Sequence, residues 1–258
     1  ALLEHFAGKI LMLEPRRLAA RNCAAYIARR RGEAVGGTVG YQVRLERKIS
    51  AATRLEIVTE GLLTQRLLSD PELSDVGLVI FDEFHERSLA CDLSFALALE
   101  VKRALREDLR IIVMSATLDI EETAKLLDNP ARVEAQGRMF PVETIYLGDI
   151  PMAAAVRRAL RETSGDILCF LPGESEIRRT MEALEGMDAD VMALYGRAPR
   201  AQQDAVFAPR SRRKAILATS IAETSLTIPG ITCVIDSGLM RTARFSPATG
   251  MDALVTLP

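Results

Sequence analysis

Two adjacent carboxylates, Asp82 and Glu83, are the residues of this sequence best suited to chemistry. They directly follow an apolar run at residues 78–81, which predicts a buried strand. Carboxylates at the end of a buried strand are costly unless a partner compensates their charge, and Mg²⁺ prefers oxygen ligands of this kind. We expect Asp82 to hold a magnesium ion, directly or through water, and Glu83 to orient and deprotonate an attacking water molecule.

Other chemistries for this segment are weaker. An acidic pair at the start of a helix, favoured by the helix dipole, is the plain alternative. His85-Glu86 does not begin a zinc-protease motif, because that motif needs a second histidine where this chain has Leu89. After the next predicted strand come Ser115-Ala116-Thr117, whose hydroxyls could bond neighbouring carboxylates, although a helix cap would have the same composition.

Polar residues also follow other predicted strands. Arg16 and Arg17 come after residues 9–13, where an arginine pair at a helix start suits a phosphodiester chain, with a solvated helix face as the alternative. Thr59 follows residues 55–58 in the same way. In the second half, a hydroxyl-rich segment from residue 218 to 227 stands where a binding loop is expected, although caps and turns also use such residues.

The elements that must position these side chains alternate along the chain. The predicted strands lie at residues 9–13, 55–58, 78–81, 111–114, 144–147, 167–171, 191–194, 215–218 and 233–235. The predicted helices lie at residues 17–30, 88–106, 153–162 and 176–184. Several strands are apolar on successive residues, which is typical of strands buried on both faces of a parallel sheet. The pattern predicts an α/β protein with its chemistry in the loops after the strands.

Turn residues at positions 147–151 interrupt this alternation and predict a domain boundary. A first domain at residues 1–147 and a second at residues 148–258 would each be large enough to bury a core.

Composition narrows the class of protein. The 258 residues contain 33 Lys and Arg against 35 Asp and Glu, so no global basic field attracts nucleic acid. No apolar run is long enough to span a membrane, and no signal peptide is visible. The 4 cysteines are isolated and lack metal-ligand spacing, which predicts buried thiols and a cytoplasmic location.

Taken in order, these motifs resemble those of the DEAH-box helicases, a branch of superfamily 2, and are particularly similar to the bacterial HrpB-type ATP-dependent helicases. The similarity covers essentially the whole chain and rests on the runs at residues 14–21, 59–61, 82–88, 115–117, 170–173 and 218–227. It implies two RecA-like lobes, each a parallel sheet flanked by helices. It also implies Mg-ATP between the lobes and single-stranded nucleic acid, RNA rather than DNA, across both.

The resemblance implies a role for each matching residue. Asp82 and Glu83 serve the hydrolysis of Mg-ATP, and the residues that couple hydrolysis to lobe movement are His85, Ser115 and Thr117. The residues that match positions on the nucleic-acid backbone are Arg16, Arg17, Thr59, Gly173 and Thr219. The residues that match positions near the nucleotide are Tyr26, Phe207, Ser225 and Thr227, with core packing as the alternative for Phe207. Residues 241–257, with a turn at 246–250, resemble the hairpin that this family uses to separate strands.

Two family motifs are expected outside these residues. The phosphate-binding loop GxxxxGK[ST] is not present, since Gly8-Lys9 is followed by Ile10, and we expect it upstream of Ala1. The arginine-rich motif is expected after Pro258. Both lobes would then be truncated and the chain alone inactive. Three functions stay open at this point: an ATP-dependent RNA helicase, a DNA helicase, or an inactive two-lobe scaffold that binds nucleic acid or protein.

Overall fold

The computed structural model describes residues 2–6, 8–116, 120–127, 130–135, 137, 140–223 and 227–258, and only the backbone of residues 120–122. The chain forms two compact units, Ala1–Gly137 and Arg138–Pro258. The division lies before the predicted boundary at residues 147/148. Each unit contains a parallel sheet flanked by helices, which confirms the predicted α/β class.

The first unit alternates strands with helices. Its strands are β1 (Lys9–Leu13), β2 (Val39–Val43), β3 (Glu46–Lys48), β4 (Leu55–Val58), β5 (Val76–Phe81) and β6 (Arg110–Val113). Its helices are α1 (Leu2–His5), α2 (Arg17–Arg30), α3 (Glu60–Ser69), α4 (Leu89–Ala104) and α5 (Ile120–Leu126), with a 3-10 turn at Phe84–Glu86. The predicted strands at residues 9–13 and 55–58 and the predicted helix at residues 17–30 are confirmed to the residue.

The strand order of this sheet is β3-β2-β4-β1-β5-β6, and only the β2–β3 pair is antiparallel. From β1 the chain passes through α2 to β2, which lies toward the β3 edge of the sheet. From β5 it passes through α4 to β6, which forms the opposite edge of the sheet. The connections therefore diverge between β1 and β5, and ligands of open parallel sheets bind at the carboxyl ends of strands at such a switch point.

Both faces of this sheet are covered. Alternate residues of β1 point to opposite faces, so Leu11 and Leu13 join one core with residues of α3 and α4, whereas Ile10 and Met12 join another with the alanines of α2. Burial on both faces explains why β1 and β5 are apolar at successive positions.

The second unit is built around a smaller sheet with the strand order β10-β7-β9-β8, parallel throughout. These strands are β7 (Asp166–Phe170), β8 (Asp190–Leu194), β9 (Lys214–Ala218) and β10 (Ile231–Asp236). The helices are α6 (Met152–Glu162), α7 (Glu174–Ala183) and α8 (Arg200–Phe207), with a 3-10 turn at Ser220–Ala222. Among the helices in the described ranges, none is long and apolar enough to cross a bilayer.

A separate antiparallel hairpin ends the second unit. It pairs β11 (Met240–Ser246) with β12 (Met251–Leu257). The amides of Thr249 and Gly250 donate to the Ser246 carbonyl at 3.2 and 2.9 Å and so close the turn. The hairpin predicted at residues 241–257, with its turn at 246–250, is confirmed.

One predicted strand is wrong. Residues 144–147 have no regular secondary structure, and Ile145 and Tyr146 are 56% and 93% exposed. Their apolar, β-branched composition favours a strand, but a strand forms only when a neighbouring strand supplies hydrogen-bond partners. The sequence pattern also missed six elements, which are β2, β3, α3, α5, α8 and the short α1.

Three phenylalanines anchor the segment that follows β5. Phe84, at the start of the 3-10 turn, is 3% exposed and packs edge-to-face on Phe95 of α4, with ring centroids 5.0 Å apart. Phe81, the last residue of β5, packs edge-to-face on the same Phe95 ring at 5.2 Å. This cluster fixes the start of the turn to the core of the first unit.

We predict that Phe84→Ala destabilises the chain by about 3 kcal/mol, because it removes a buried aromatic side chain and leaves a cavity. Phe84→Leu should cost clearly less, since most of the apolar volume is kept. Urea unfolding followed by circular dichroism measures both. Phe245→Ala is the control, because Phe245 is 64% exposed and its loss should leave the midpoint unchanged. Equal midpoints for Phe84→Ala and wild type would contradict the anchoring role.

Candidate active site and nucleic-acid loops

The ends of two adjacent strands bring two carboxylates together. In the parallel register, Leu13 at the end of β1 lies beside Phe81 at the end of β5. The Asp82 amide donates to the Leu13 carbonyl at 3.1 Å, so Glu14 and Asp82 leave the sheet side by side. Glu14 is only 3% exposed, and its side chain opposes the rise that burial causes in the pKa of the neighbouring Asp82 carboxyl. The pair lies at the switch point of the sheet.

Glu83 has a strained backbone. Its φ of 50° and ψ of 37° lie in the left-handed region, which costs a non-glycine residue on the order of 1 kcal/mol. The conformation is held on both sides. The Glu83 amide donates to Asp82 Oδ1 at 2.9 Å, and the next amide, of Phe84, donates to the Met114 carbonyl at 3.1 Å.

His85 connects the acidic turn to the loop after β6. Its Nε2 lies 3.4 Å from Glu83 Oε2, and its Nδ1 lies 3.3 Å from Ser115 Oγ. The predicted residues Asp82, Glu83, His85 and Ser115 therefore gather in one place within the first unit. Thr117, predicted to act with Ser115, lies outside the described residues.

Burial and like charge shape the electrostatics of this cluster. Burial raises the pKa of the Asp82 carboxyl above its ordinary value. Burial, followed by repulsion from the Asp82 charge, also raises the pKa of Glu83, while His85 opposes that rise. On α2, burial and the charges of Glu14 and Asp82 raise the pKa of the Cys23 thiol to about 12. A carboxylate with a raised pKa is a better proton acceptor, which suits Glu83 to general-base work.

The donor set is suited to magnesium bound mainly through phosphate and water. Asp82 and Glu83 offer the oxygen ligands that Mg²⁺ prefers. Within the described ranges, no group of three His, Cys, Asp or Glu side chains is arranged to hold a metal ion by itself. Mg²⁺ is commonly held by one or two carboxylates plus substrate phosphates, so these residues fit it only in that mode.

The first two predicted nucleic-acid loops lie on strands next to this cluster. Arg16 precedes α2 and its Nε lies 3.3 Å from Glu86 Oε2, whereas Arg17, the first residue of α2, is exposed. Thr59 follows β4 and precedes α3. It lines an open cleft of about 610 Å³ together with Arg44 of the β2–β3 turn and Arg47 of β3.

Two predicted residues of the second unit, Gly173 and Thr219, lie at strand ends of its own sheet. Gly173 follows β7 and precedes α7, and a Cβ atom there would come within 2.6 Å of Arg241 Nη1. A side chain at position 173 would therefore require the Arg241 guanidinium, which lies 3.6 Å from Glu176, to move. Thr219 follows β9, and its amide donates to the Leu194 carbonyl at 3.1 Å.

The predicted nucleotide-side residues are dispersed. Phe207 is the last residue of α8 and is half-buried, and Thr227 is exposed. Ser225 lies outside the described residues. Tyr26, on α2, is 51% exposed and lies between the guanidinium groups of Arg29 and Arg30, at 6.0 and 5.9 Å from its ring centroid. Their roles at a nucleotide stay predictions.

Sequence reasoning assigned no role to three carboxylates and a hydroxyl that contact the site, namely Glu14, Glu60, Glu86 and Ser88. Glu14 gave a usable signal, because it is an acid directly after a buried strand, just as Asp82 is. The other three gave none, because their importance lies in contacts between loops that are distant in sequence.

The comparisons with known proteins agree with this architecture. The family model described as "DEAD/DEAH box helicase" matches residues 1–126, and the one described as "Helicase conserved C-terminal domain" matches residues 152–249. The chain is 49% identical to the protein named ATP-dependent RNA helicase HrpB of Escherichia coli K12, over 96% of this chain and 32% of that protein. It is 36% identical to the probable ATP-dependent RNA helicase DHR2 of Saccharomyces cerevisiae, over 97% of this chain and 37% of that protein.

A solved structure is similar over nearly the whole chain. The crystal structure of the Escherichia coli DEAH/RHA helicase HrpB superposes with a TM-score of 0.86 at 47% identity, covering 98% of this chain and 34% of the other. This chain spans about a third of the length of these relatives. It belongs to the DEAD/DEAH box helicase family.

We predict that Asp82→Asn stabilises the chain by about 1 kcal/mol at neutral pH, at the expense of function. The pKa of Asp82 is raised from its ordinary value of 3.8, so above that pH the folded chain binds more protons than the unfolded chain. Stability therefore falls as pH rises through this range, and the amide removes that loss. Urea unfolding should show a gain that shrinks as the pH approaches 3.8.

Asp108→Asn is the matched control for this prediction. A hydrogen bond from Arg106 lowers the pKa of Asp108, so removing its charge should lower stability at neutral pH rather than raise it. Loss of stability at neutral pH in both variants would show that the Asp82 charge is not a burden on the fold.

Proposed function

We propose that the protein carrying this chain is an ATP-dependent RNA helicase, which hydrolyses Mg-ATP between its two lobes and uses the energy to move along nucleic acid and unwind it. The acid pair Asp82 and Glu83 at the switch point of the first sheet carries this proposal. Membership of the DEAD/DEAH box helicase family supports it, and so do the names of the relatives.

In this proposal Glu83 is the general base. The left-handed backbone presents its carboxylate, and the raised pKa prepares it to take a proton from water as the water oxygen attacks the terminal phosphorus. The bond from that phosphorus to the bridging oxygen breaks, which gives ADP and phosphate. Asp82 orients Glu83 through the hydrogen bond that its Oδ1 accepts from the Glu83 amide.

Asp82, with help from Glu83, would hold the magnesium ion directly or through water. Bound there, Mg²⁺ would neutralise charge on the phosphate oxygens. His85 would then report on the site, because its two ring nitrogens contact Glu83 on one side and Ser115 on the other. The proposed coupling of hydrolysis to movement runs through this histidine and the loop after β6.

Single-stranded nucleic acid would lie along the loops after β1 and β4. Arg16 and Arg17 stand at the start of α2, and Thr59 shares its cleft with Arg44 and Arg47. Arginines at a helix start and beside a hydroxyl suit phosphate oxygens rather than base edges, as a motor that moves along any sequence requires. RNA is favoured over DNA because relatives at 49% and 36% identity are named RNA helicases.

The second unit would complete both sites. Gly173 and Thr219 are proposed to contact the same nucleic-acid strand, and the proposed nucleotide contacts are Tyr26, Phe207, Ser225 and Thr227. The hairpin β11–β12 is proposed to separate duplex strands. For Gly173, the space that Arg241 occupies beside it supports a role of the bare backbone.

We predict that Glu83→Gln in the full-length protein lowers ATP turnover at least about 100-fold, because the amide cannot accept a proton. A coupled assay of phosphate release, with and without a single-stranded RNA oligonucleotide, measures this. Binding of RNA should be retained, since the charge removed is not part of the nucleic-acid loops. Glu162→Gln, on the exposed face of α6, is the control and should match wild type.

The same assay separates the proposed motor from its rivals. Wild-type protein without RNA-stimulated turnover, but with RNA or protein binding, would favour the inactive scaffold. Turnover in Glu83→Gln equal to wild type would remove the general-base role. Stronger stimulation by single-stranded DNA than by RNA of the same length would favour a DNA substrate.

We further predict that Arg17→Ala weakens RNA binding equally across sequences, since a phosphate contact carries no base information. The slope of log K against log salt should fall by about one, as expected for one lost phosphate contact. Fluorescence anisotropy at several salt concentrations measures the slope. Arg30→Ala removes the same charge from the other end of α2 and should leave the slope unchanged. Identical slopes for wild type and Arg17→Ala would exclude this contact.

A further inference from the structure

The turn that carries Glu83 is contacted by both proposed nucleic-acid loops of the first unit. From the loop after β1, Arg16 Nε reaches Glu86 Oε2 at 3.3 Å. The two side chains are only 26% and 18% exposed, so water screens this ion pair less than one on the open surface. The partner residues are 70 positions apart in the chain, and the contact exists only because β1 and β5 are neighbours.

A second contact comes from the loop after β4. Ser88 Oγ donates to Glu60 Oε2 at 2.7 Å, and Glu60 is the residue after Thr59. The same hydroxyl oxygen accepts the Cys91 amide at 3.0 Å and so caps α4. Ser88 therefore does two separate things: it starts a helix, and it connects that helix to the loop of Thr59.

The turn between these contacts is stiff enough to transmit a displacement. The Glu86 amide donates to the Glu83 carbonyl at 2.9 Å, so the residue that holds Arg16 is bonded directly to the proposed base. Arg87 has a left-handed φ of 40°, makes two hydrogen bonds of 2.9 Å to Asp92 and lies over the Phe84 ring at 5.5 Å. Strained residues held from several sides move as a unit rather than one by one.

We propose that Glu86 and Ser88 are positioning residues that couple nucleic-acid binding in the loops of Arg16 and Thr59 to the placement of Glu83. The inference rests on the proposed function, since it assumes that Glu83 is the base and that these loops bind the strand. A phosphate that draws Arg16 or the Thr59 loop toward it shifts Glu86 or Ser88, and the shared turn carries that shift to Glu83.

Chemistry favours this over an ordinary ion pair. A guanidinium has five N–H donors, so one arginine can bind a carboxylate and a phosphate at once. Isolated surface ion pairs contribute little to stability and would not need a second link. Here two links, of different chemistry and from different strands, converge on residues 86 and 88 of one turn.

The test measures RNA stimulation of ATP turnover in the full-length protein. Glu86→Gln weakens the pull on Arg16 without changing side-chain size, and we expect the ratio of turnover with RNA to turnover without RNA to fall about fivefold. Since coupling is reciprocal, a non-hydrolysable ATP analogue should also change RNA affinity less than it does in wild type. A purely structural role would not alter this ratio of affinities. Glu162→Gln is the control for loss of a partly exposed ion-paired carboxylate.

A pair of Ser88 variants separates the coupling from the helix cap. Ser88→Thr keeps both the donor to Glu60 and the cap, and should behave as wild type. Ser88→Asp keeps the cap, because aspartate is as good an N-cap as serine, but it cannot donate to Glu60. We expect Ser88→Asp to lose RNA stimulation about fivefold, and repulsion between its carboxylate and that of Glu60 should lower its melting temperature below that of Ser88→Thr.

The outcomes distinguish the coupling from the function beneath it. Wild-type protein with no RNA-stimulated turnover would overturn the proposed function and this inference together. Wild-type stimulation that persists in both Glu86→Gln and Ser88→Asp would overturn the coupling alone. Loss of stimulation in Ser88→Thr equal to that in Ser88→Asp would show that bulk at position 88, and not the link to Glu60, matters.

Discussion

The contact between the Glu14 and Asp82 side chains is the constraint on which the first unit depends. The register of β1 and β5 forces two acids to leave the sheet side by side, one of them 3% exposed. Burial raises the pKa of the Asp82 carboxyl, so an ionised Asp82 is costly there unless a cation compensates its charge. The buried apolar residues on both faces of the sheet stabilise the unit and offset the electrostatic cost of these acids. The candidate site therefore lies where the fold places two acids side by side at a buried edge of the sheet.

In the turn that follows β5, the residues that anchor the backbone in the core are different from the residue whose backbone is strained. Phe81 and Phe84 bury their rings against Phe95, while Glu83 between them adopts a left-handed conformation. A strained residue keeps its geometry only when its neighbours are fixed more strongly than the strain can move them. The aromatic cluster provides that fixation, which is why the residue after the acidic pair and before the histidine is buried rather than polar.

The sequence revealed the elements whose information is local and missed those whose information is not. Buried strands such as β1 and β4 are apolar at all but one position, and Asp82, Glu83, His85 and Ser115 follow strands of this kind, so the positions of all four were predictable. The sequence pattern did not predict β2, because Gly40 weakens the strand signal. Glycine is needed at position 40, because a side chain there would collide with the Lys48 carbonyl. Residues 144–147 failed for the opposite reason, since their composition is β-like but no partner pairs with them. The contacts of Glu86 and Ser88 could not be predicted without the strand order, because their partners are distant in sequence.

That strand order explains how binding and chemistry can act on each other over a short distance. β4, β1, β5 and β6 are consecutive in the sheet, so the loops that follow them stand in a row about 4.8 Å apart. The loop after β5 contacts all three others: Glu14 and Arg16 after β1, Glu60 after β4, and Ser115 after β6. A parallel sheet collects its strand ends along one edge, and the loop after β5 lies between the loops after β1 and β6 and also reaches Glu60 after β4. In the proposed function, the turn that carries Glu83 is the common contact of the binding loops, and a small displacement in any of them would reach Glu83 without a long chain of intermediates.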